Sequence, residues 1–279
     1  MKLITNTEAL SARRDDFYAL GLIAGAGFDA FDLTMTAASH PLRTDDYLSH
    51  ARAVKRRADE LSLPCLQAHA PFGLIDGAEA FAHYVSLHLR AIQMCHELEC
   101  DMLVVHPGNH YTAARNYECL YAKLLPTAEH LGVRIATENM WSWDAEHRLT
   151  FPTACGTVED FAACVDMAHS PFMTACVDVG HAEMTGAPGA AALIRGLGKD
   201  RIGCLHIHDN DLVHDLHTLP FQGKIDWDSV ITALRDIGYE GNFTYEAHKF
   251  LAPYPDELLD AVLCYMERLG RYFIKRLRT

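Results

Sequence analysis

Between Cys204 and His217 the chain reads CLHIHDNDLVHDLH, with histidines at 206, 208, 214 and 217 and aspartates at 209, 211 and 215. Imidazole and carboxylate are ligands for Zn²⁺, Mn²⁺ and related cations. Strand alternation puts Leu205 and Ile207 on one face and His206 and His208 on the other. Asp215 and His217 then follow one residue apart. A polar loop on a solvated strand end is the plain alternative. It does not explain why similar residues recur at other strand ends along the chain.

Those residues are His69, His106, Glu138, Asp178 with His181 three positions on, and Glu246. With His206, Asp215 and His217 they make five histidines and four carboxylates. A single histidine at a strand end is more often a satisfied hydrogen-bonding residue than a ligand, and Glu138 and Glu246 could pair with an arginine such as Arg134. Burying so many carboxylates together is costly unless they pair or neutralise. One to three divalent cations would compensate all of them. Nine ligands exceed the roughly six that one octahedral ion accepts, so more than one ion, Zn²⁺ or Mn²⁺, is expected. His208 shares the face of His206 and could meet a substrate hydroxyl or orient a ligand. Phe72, Trp141 and Trp143 could stack on the apolar face of a sugar, or serve ordinary core or lid packing.

The elements that must carry these residues alternate. Strands are predicted over 2–7, 28–35, 64–72, 101–108, 133–140, 172–181, 201–209 and 241–248. Helices are predicted over 11–27, 44–63, 79–100, 111–131, 157–168, 189–198 and 225–238, with a last one from about Pro255. Strict β–α alternation argues a parallel sheet. Eight units at this length suit a closed α/β architecture, the (β/α)₈ TIM barrel, as one domain over residues 1–279. A doubly wound open sheet is the alternative, but no GxGxxG follows the first strand. In a barrel, function gathers at the C-terminal strand ends, where all nine residues fall. Around Glu138, Ile135 and Thr137 face one way and Ala136 and Glu138 the other. Phe243 and Tyr245 face the helices, leaving Thr244 and Glu246 inward. The longest irregular segment, 141–155, has two tryptophans and a phenylalanine and reads as a lid or pocket wall.

The formal net charge of −13 speaks weakly against a nucleic-acid partner. No apolar run resembling a signal peptide opens the chain, and no stretch approaches membrane-span length. The nine cysteines are scattered, without a CxxC pair, a reducing, cytoplasmic pattern that leaves them outside the site. Self-association into a homo-oligomer stays open.

The motifs HAPFGLID (69–76), VVHPG (104–108), TEN (137–139), VDVGH (177–181), HIHDND (206–211), DLH (215–217), GKIDW (223–227) and YEAH (245–248) occur in that order. As a set they resemble the xylose-isomerase-like barrel superfamily, which holds sugar isomerases and epimerases together with endonuclease IV. The resemblance covers essentially the whole chain. It implies that Glu138, Asp178, His206 and Glu246 hold one divalent metal, that the two glutamates exchange protons with substrate, and that His181 contacts substrate. The endonuclease branch uses a larger set for three zinc ions, and all nine positions match it.

Three readings follow. A sugar or sugar-derivative isomerase or epimerase would pass a proton through an enediolate by way of Glu138 and Glu246. An endonuclease-IV-like phosphodiesterase acting on abasic DNA would use a metal-activated water. A metal-stabilised sugar-binding barrel would do neither. No arginine lies between Asp209 and Pro220, a departure from ketose epimerases. The acidity of the chain and the base-poor aromatic segment from Trp141 to Phe151 depart from the endonuclease. A small sugar is the expected partner, acting in carbohydrate metabolism, with no nucleic acid and no membrane. Lys224 and Lys249 could meet a phosphorylated substrate, but there is no Gly-rich phosphate cradle.

Overall fold

A computed structural model describes residues 1–73, 78–186 and 188–278. Residues 74–76 of the HAPFGLID motif lie outside them. Eight parallel strands form the barrel: β1 (Leu3–Asn6), β2 (Ala30–Thr34), β3 (Cys65–His69), β4 (Met102–Val105), β5 (Arg134–Glu138), β8 (Met173–Asp178), β9 (Ile202–His206) and β10 (Phe243–Tyr245). Between β5 and β8 lies an antiparallel hairpin of β6 (Trp141–Asp144) and β7 (Leu149–Pro152). The sheet order is β10-β1-β2-β3-β4-β5-β8-β9. It closes through one residue. Ile207 donates its N–H to the carbonyl of Thr244 at 2.9 Å and accepts from the N–H of Glu246 at 3.1 Å. This seam lies at the C-terminal strand ends and sets His206 and His208 beside Glu246.

Period-2 alternation sorts the strand residues as expected. Ile135, Val177, Leu205, Ile207, Phe243 and Tyr245 face the helices and belong to the main core. Met102, Val104, Ala136, Cys176 and Cys204 form a small separate cluster, the apolar layer inside the barrel. Thr244 points inward as well, and its hydroxyl donates to Gln67 Oε1 at 2.9 Å.

Helices fill the intervals. Asp15 caps Asp16–Ala26 by accepting from the Tyr18 N–H at 2.8 Å, and Gly27 ends that helix at φ 91°. The predicted helix over 111–131 is interrupted by a π turn at Tyr117–Tyr121. That turn sets the Tyr121 hydroxyl 2.6 Å from Thr137 Oγ1, which ties the helix to the outer face of β5. Helical periodicity does not distinguish one wide turn from a regular one.

Two predicted elements change. The sixth predicted strand, 172–181, stops at Asp178, because the Asp178 carboxylate accepts from the His181 N–H at 2.7 Å and opens the short helix Val179–Met184. The segment 141–155 is not irregular, since its middle is the hairpin.

The loop from β9 to the helix Trp227–Asp236 is folded around Asp209, which is fully buried. Its carboxylate accepts from Asn210 N at 2.8 Å, Phe221 N at 2.9 Å, Ile225 N at 3.2 Å and Trp227 Nε1 at 2.9 Å. Gly223 passes so close that a Cβ there would lie 2.3 Å from Asp209 Oδ1. Replacing Asp209 with Ala orphans those four donors and should lower the unfolding free energy by about 3 kcal/mol or more. Chemical denaturation of the metal-free protein measures this, and a loss below about 1 kcal/mol would show that the loop does not depend on Asp209.

Candidate metal centre

The nine predicted ligands gather at the C-terminal rim of the barrel, in overlapping groups. At the centre, His206 Nδ1 lies 3.3 Å from Glu138 Oε2, 3.3 Å from Glu246 Oε2 and 3.8 Å from Asp178 Oδ2. To one side, His106 Nε2 stands 3.2 Å from Glu138 Oε2 and 3.1 Å from His69 Nε2. To the other, His181 Nε2 is 3.9 Å and His217 Nε2 2.8 Å from Asp215 Oδ2. His208 completes this side, with Nε2 3.1 Å from Asp178 Oδ1 and 3.8 Å from Asp215 Oδ1. Potential ligand atoms of His181, His208, Asp215 and His217 all lie within 4.8 Å of one another, as do those of His69, His106 and Glu138.

The backbone sets the tautomers. His69 Nδ1 faces the Ala70 carbonyl at 2.8 Å, His181 Nδ1 faces that of Asn139 at 3.0 Å, and His217 Nδ1 faces that of Glu246 at 2.9 Å. A carbonyl only accepts, so each Nδ1 carries the proton and donates it. In the neutral ring Nε2 then holds its lone pair toward the cluster, the arrangement of metal-bound imidazoles. His217 is held there at φ 41°, in the left-handed region a histidine seldom adopts.

The fit to a cation is tested by what is left unpaired. Both carboxylate oxygens of Glu138, both ring nitrogens of His206 and Oδ1 of Asp215 are buried without a hydrogen-bond partner. Such orphans are costly in a folded chain; a divalent ion would satisfy the Glu138 and Asp215 oxygens and His206 Nδ1, while His206 Nε2 points away, 3.9 Å from Asp32. Arg134 does not, because it pairs with Asp101 at 2.8 Å at the opposite end of its strand. Lys249 spends its ammonium on the carbonyl of Asp215.

Without a cation the cluster distributes protons unevenly. Burial pushes the Glu138 carboxyl up, but His206, His106 and His181 outweigh it and hold the group well below the usual range. Burial and the neighbouring charges of Glu138, Asp178 and Asp215 push Glu246 well above it. For His181, burial is outweighed by Asp178, Glu138 and Asp215, raising it to about 10. His217 is lowered to about 4, by burial and by His208.

A cavity of about 240 Å³ opens over these groups, walled by Phe72, Trp141 and Met140 as well as the ligands. Phe72 stacks on His106 with centroids 4.7 Å apart, and Trp141 lies 6.3 Å from His181. Trp143 does not line this cavity; it lies 40% exposed on the hairpin beside His214. Glu8, just beyond β1, does line it. It lies outside the predicted set because it follows a strand end by two residues and belongs to no recognised motif. Asn139 is a further contributor. Its side chain donates to the Asp178 carbonyl at 2.9 Å and accepts from the Asp178 N–H at 2.8 Å, locking β5 to β8 beside the ligands. Cys176, expected to stand apart, has its sulfur grouped with Glu138 and His206.

An eight-stranded parallel barrel with a cluster of potential metal ligands at its C-terminal rim defines a TIM barrel. The family model described as xylose isomerase-like TIM barrel matches residues 20–266, and the chain belongs to that family. The uncharacterized protein MJ1311 of Methanocaldococcus jannaschii is 28% identical over 193 residues, 64% of this chain and 62% of that protein, so the chain matches less than two thirds of that relative's length. A D-tagatose 3-epimerase-like protein superposes with a TM-score of 0.78 at 21% identity, covering 100% of this chain and 98% of that one. The IOLI protein, solved with a zinc atom, superposes at 0.73 with 17% identity over 99% and 98%. D-allulose and L-ribulose 3-epimerases are also among the structural neighbours.

Gly180 tests the site's dependence on its backbone. A Cβ there would lie 1.9 Å from the His208 ring, so Gly180→Ala must push His208 off Asp178. Because His208 is fully buried, the clash should also lower stability by about 1–3 kcal/mol, so the variant's folding is checked beside its metal affinity. Metal affinity should fall by about tenfold or more. Competition with a chelator reads it, and unchanged affinity would uncouple His208 from the ligands.

Proposed function

We propose that the protein is a single-domain, divalent-metal-dependent isomerase or epimerase of a sugar or sugar derivative. The observation that carries this reading is the pair Glu138 and Glu246, brought by β5 and β10 to 3.3 Å from the same atom, His206 Nδ1, beneath one cavity. Two carboxylates held at one such point can take a proton from a bound substrate and return it. Glu138, Asp178, His206 and Glu246 would hold one cation. His69 and His106 on one side, and His181, Asp215 and His217 on the other, have capacity for more, as Zn²⁺ or Mn²⁺. When bound, such a cation supplies Lewis acidity that makes the carbon beside a sugar carbonyl easier to deprotonate.

The chain's own groups then do the proton work. Glu138, ionised, takes the proton from that carbon and leaves an enediolate. The proton Glu138 has taken is returned by way of Glu246, to the other face of the same carbon for epimerisation or to the neighbouring carbon for isomerisation. His181 is placed to hold a hydroxyl, whereas His208, fully buried and outside the cavity wall, meets Asp178 instead of a substrate. Phe72 and Trp141 exclude water and offer aromatic faces to the sugar's C–H groups. The sugar 3-epimerases among the structural neighbours support this assignment. It places the protein in carbohydrate metabolism, and nine unpaired cysteines suit a reducing compartment such as the cytoplasm.

Glu138→Gln and Glu246→Gln should each lower turnover by about 100-fold or more, with metal still bound. Solvent deuterium should enter the carbon beside the carbonyl during turnover by the unaltered enzyme. Normal turnover by both variants on a demonstrated sugar substrate would end the two-carboxylate mechanism, and absence of exchange alone would favour a hydride shift.

The complete nine-residue set favours one competing reading, a metal-dependent phosphodiesterase. Against it, no Lys or Arg is among the described residues lining the cavity, and phosphate backbones need such contacts. An abasic-site duplex should therefore show no salt-sensitive binding. Sub-micromolar affinity falling steeply with salt would promote this second reading over the first.

A further inference from the structure

A second cavity, of about 430 Å³, adjoins the one over the metal ligands and shares Phe72, His106 and Met140 with it. Its remaining walls include Phe81, Tyr84, Tyr111 and Leu120. Polar side chains line it as well, but the asparagines are already engaged. Asn109 donates to the Trp141 carbonyl at 3.0 Å and accepts from the Thr153 hydroxyl. Asn116 accepts from the Gly108 N–H at 2.7 Å and donates to the carbonyls of Gly108 and Tyr111. These bonds brace the loop after β4 as a wall, so the polar side chains left to a ligand among the described lining residues are those of Tyr84, Tyr111, His106 and His110. Tyr111 is clamped in that wall. Its ring packs on Gly108, where a Cβ would come within 2.6 Å of it, and the Arg115 guanidinium sits 4.9 Å above its centroid.

A bare sugar does not match such a space. Its many hydroxyls would lose water and gain few partners, and the smaller cavity over the ligands already holds the polar groups a sugar needs. Pockets that are braced, largely apolar and of several hundred cubic ångströms take apolar ligands. Resting on the sugar reading above, we propose that the substrate is an uncharged sugar carrying an aryl or alkyl substituent, with the sugar over the metal ligands and the substituent in this second cavity. The junction at His106 makes the two spaces one continuous site. The absence of Lys and Arg among the described lining residues of both cavities fits an uncharged molecule.

The test compares phenyl and methyl β-D-glucopyranosides and β-D-galactopyranosides by isothermal titration against metal-loaded protein. The phenyl glycosides should bind about tenfold or more tightly than the methyl ones, from the apolar area the ring buries. Cys119→Trp, which fills the second cavity from a residue outside the metal site, should abolish the difference while methyl glycoside binding persists. Tyr111→Ala, which removes one wall, should reduce it. Equal binding of phenyl and methyl glycosides, binding of neither, or a difference that survives Cys119→Trp overturns the assignment. A phenyl preference with the affinity of both glycosides unchanged when metal is removed would keep the apolar subsite and retire the sugar-isomerase reading instead.

Discussion

One imidazole nitrogen, His206 Nδ1, lies 3.3 Å from a carboxylate oxygen of Glu138 and 3.3 Å from one of Glu246. Two carboxylates drawn toward one buried point repel each other and lose hydration. The fold has to hold them there by other means, and its features at that end of the barrel do so. The seam of the barrel closes at Ile207, one residue past His206, and pins the backbone of Glu246. Asn139, next to Glu138, hydrogen-bonds twice to the backbone of Asp178. Asp178 in turn caps the helix that delivers His181. Each ligand is thus anchored through the main chain of a neighbouring strand, which is how geometry is kept when the side chains themselves repel.

Protons show what the arrangement lacks. With His181 lifted to about 10 and Glu246 pushed up as well, while His217 is held down at about 4, the cluster takes up protons at some groups and refuses them at others. A divalent cation does the same more compactly and displaces those protons, because ligands bind metal in their deprotonated forms. The same residues therefore couple metal content to protonation.

Much of this was legible in the sequence because its signals are local. Alternation over Ile135–Glu138 and over Phe243–Glu246 placed both glutamates inward, and the apolar layer of Ala136, Cys176 and Cys204 agrees. The ligands were legible as residues ending successive strands. Less legible was whatever depends on partners distant in sequence. The hairpin at Trp141–Pro152 forms by pairing across a turn and ties back to Asn109 through the N–H of Ala154. Glu8 enters the cavity wall only because β1 is a neighbour of β10. Asp209 sat in the ligand-rich stretch that first drew attention, yet its carboxylate is consumed by four donors from the following loop. Residue type alone did not separate it from Asp215, six positions on.

A second cluster shows why composition is not enough to identify a metal site. Asp16, His40 and His50 bring potential ligand atoms within 4.8 Å of one another near the same end of the barrel. Asp16 Oδ2 lies 2.8 Å from His50 Nε2 and 3.6 Å from His40 Nε2, while Ser11 donates to Oδ1 at 2.6 Å. Here the backbone acts in the opposite sense. His40 Nδ1 accepts from the Leu42 N–H at 3.1 Å, so the ring proton must sit on Nε2, facing Asp16. That nitrogen is a donor with no lone pair to offer. In the metal centre the backbone contacts of His69, His181 and His217 are carbonyls, which take the proton on Nδ1 and turn Nε2 into a ligand. The two clusters hold the same residue types at similar spacing. Where a main-chain group meets the imidazole, as at His40, His69, His181 and His217, it sets which ring nitrogen carries the proton.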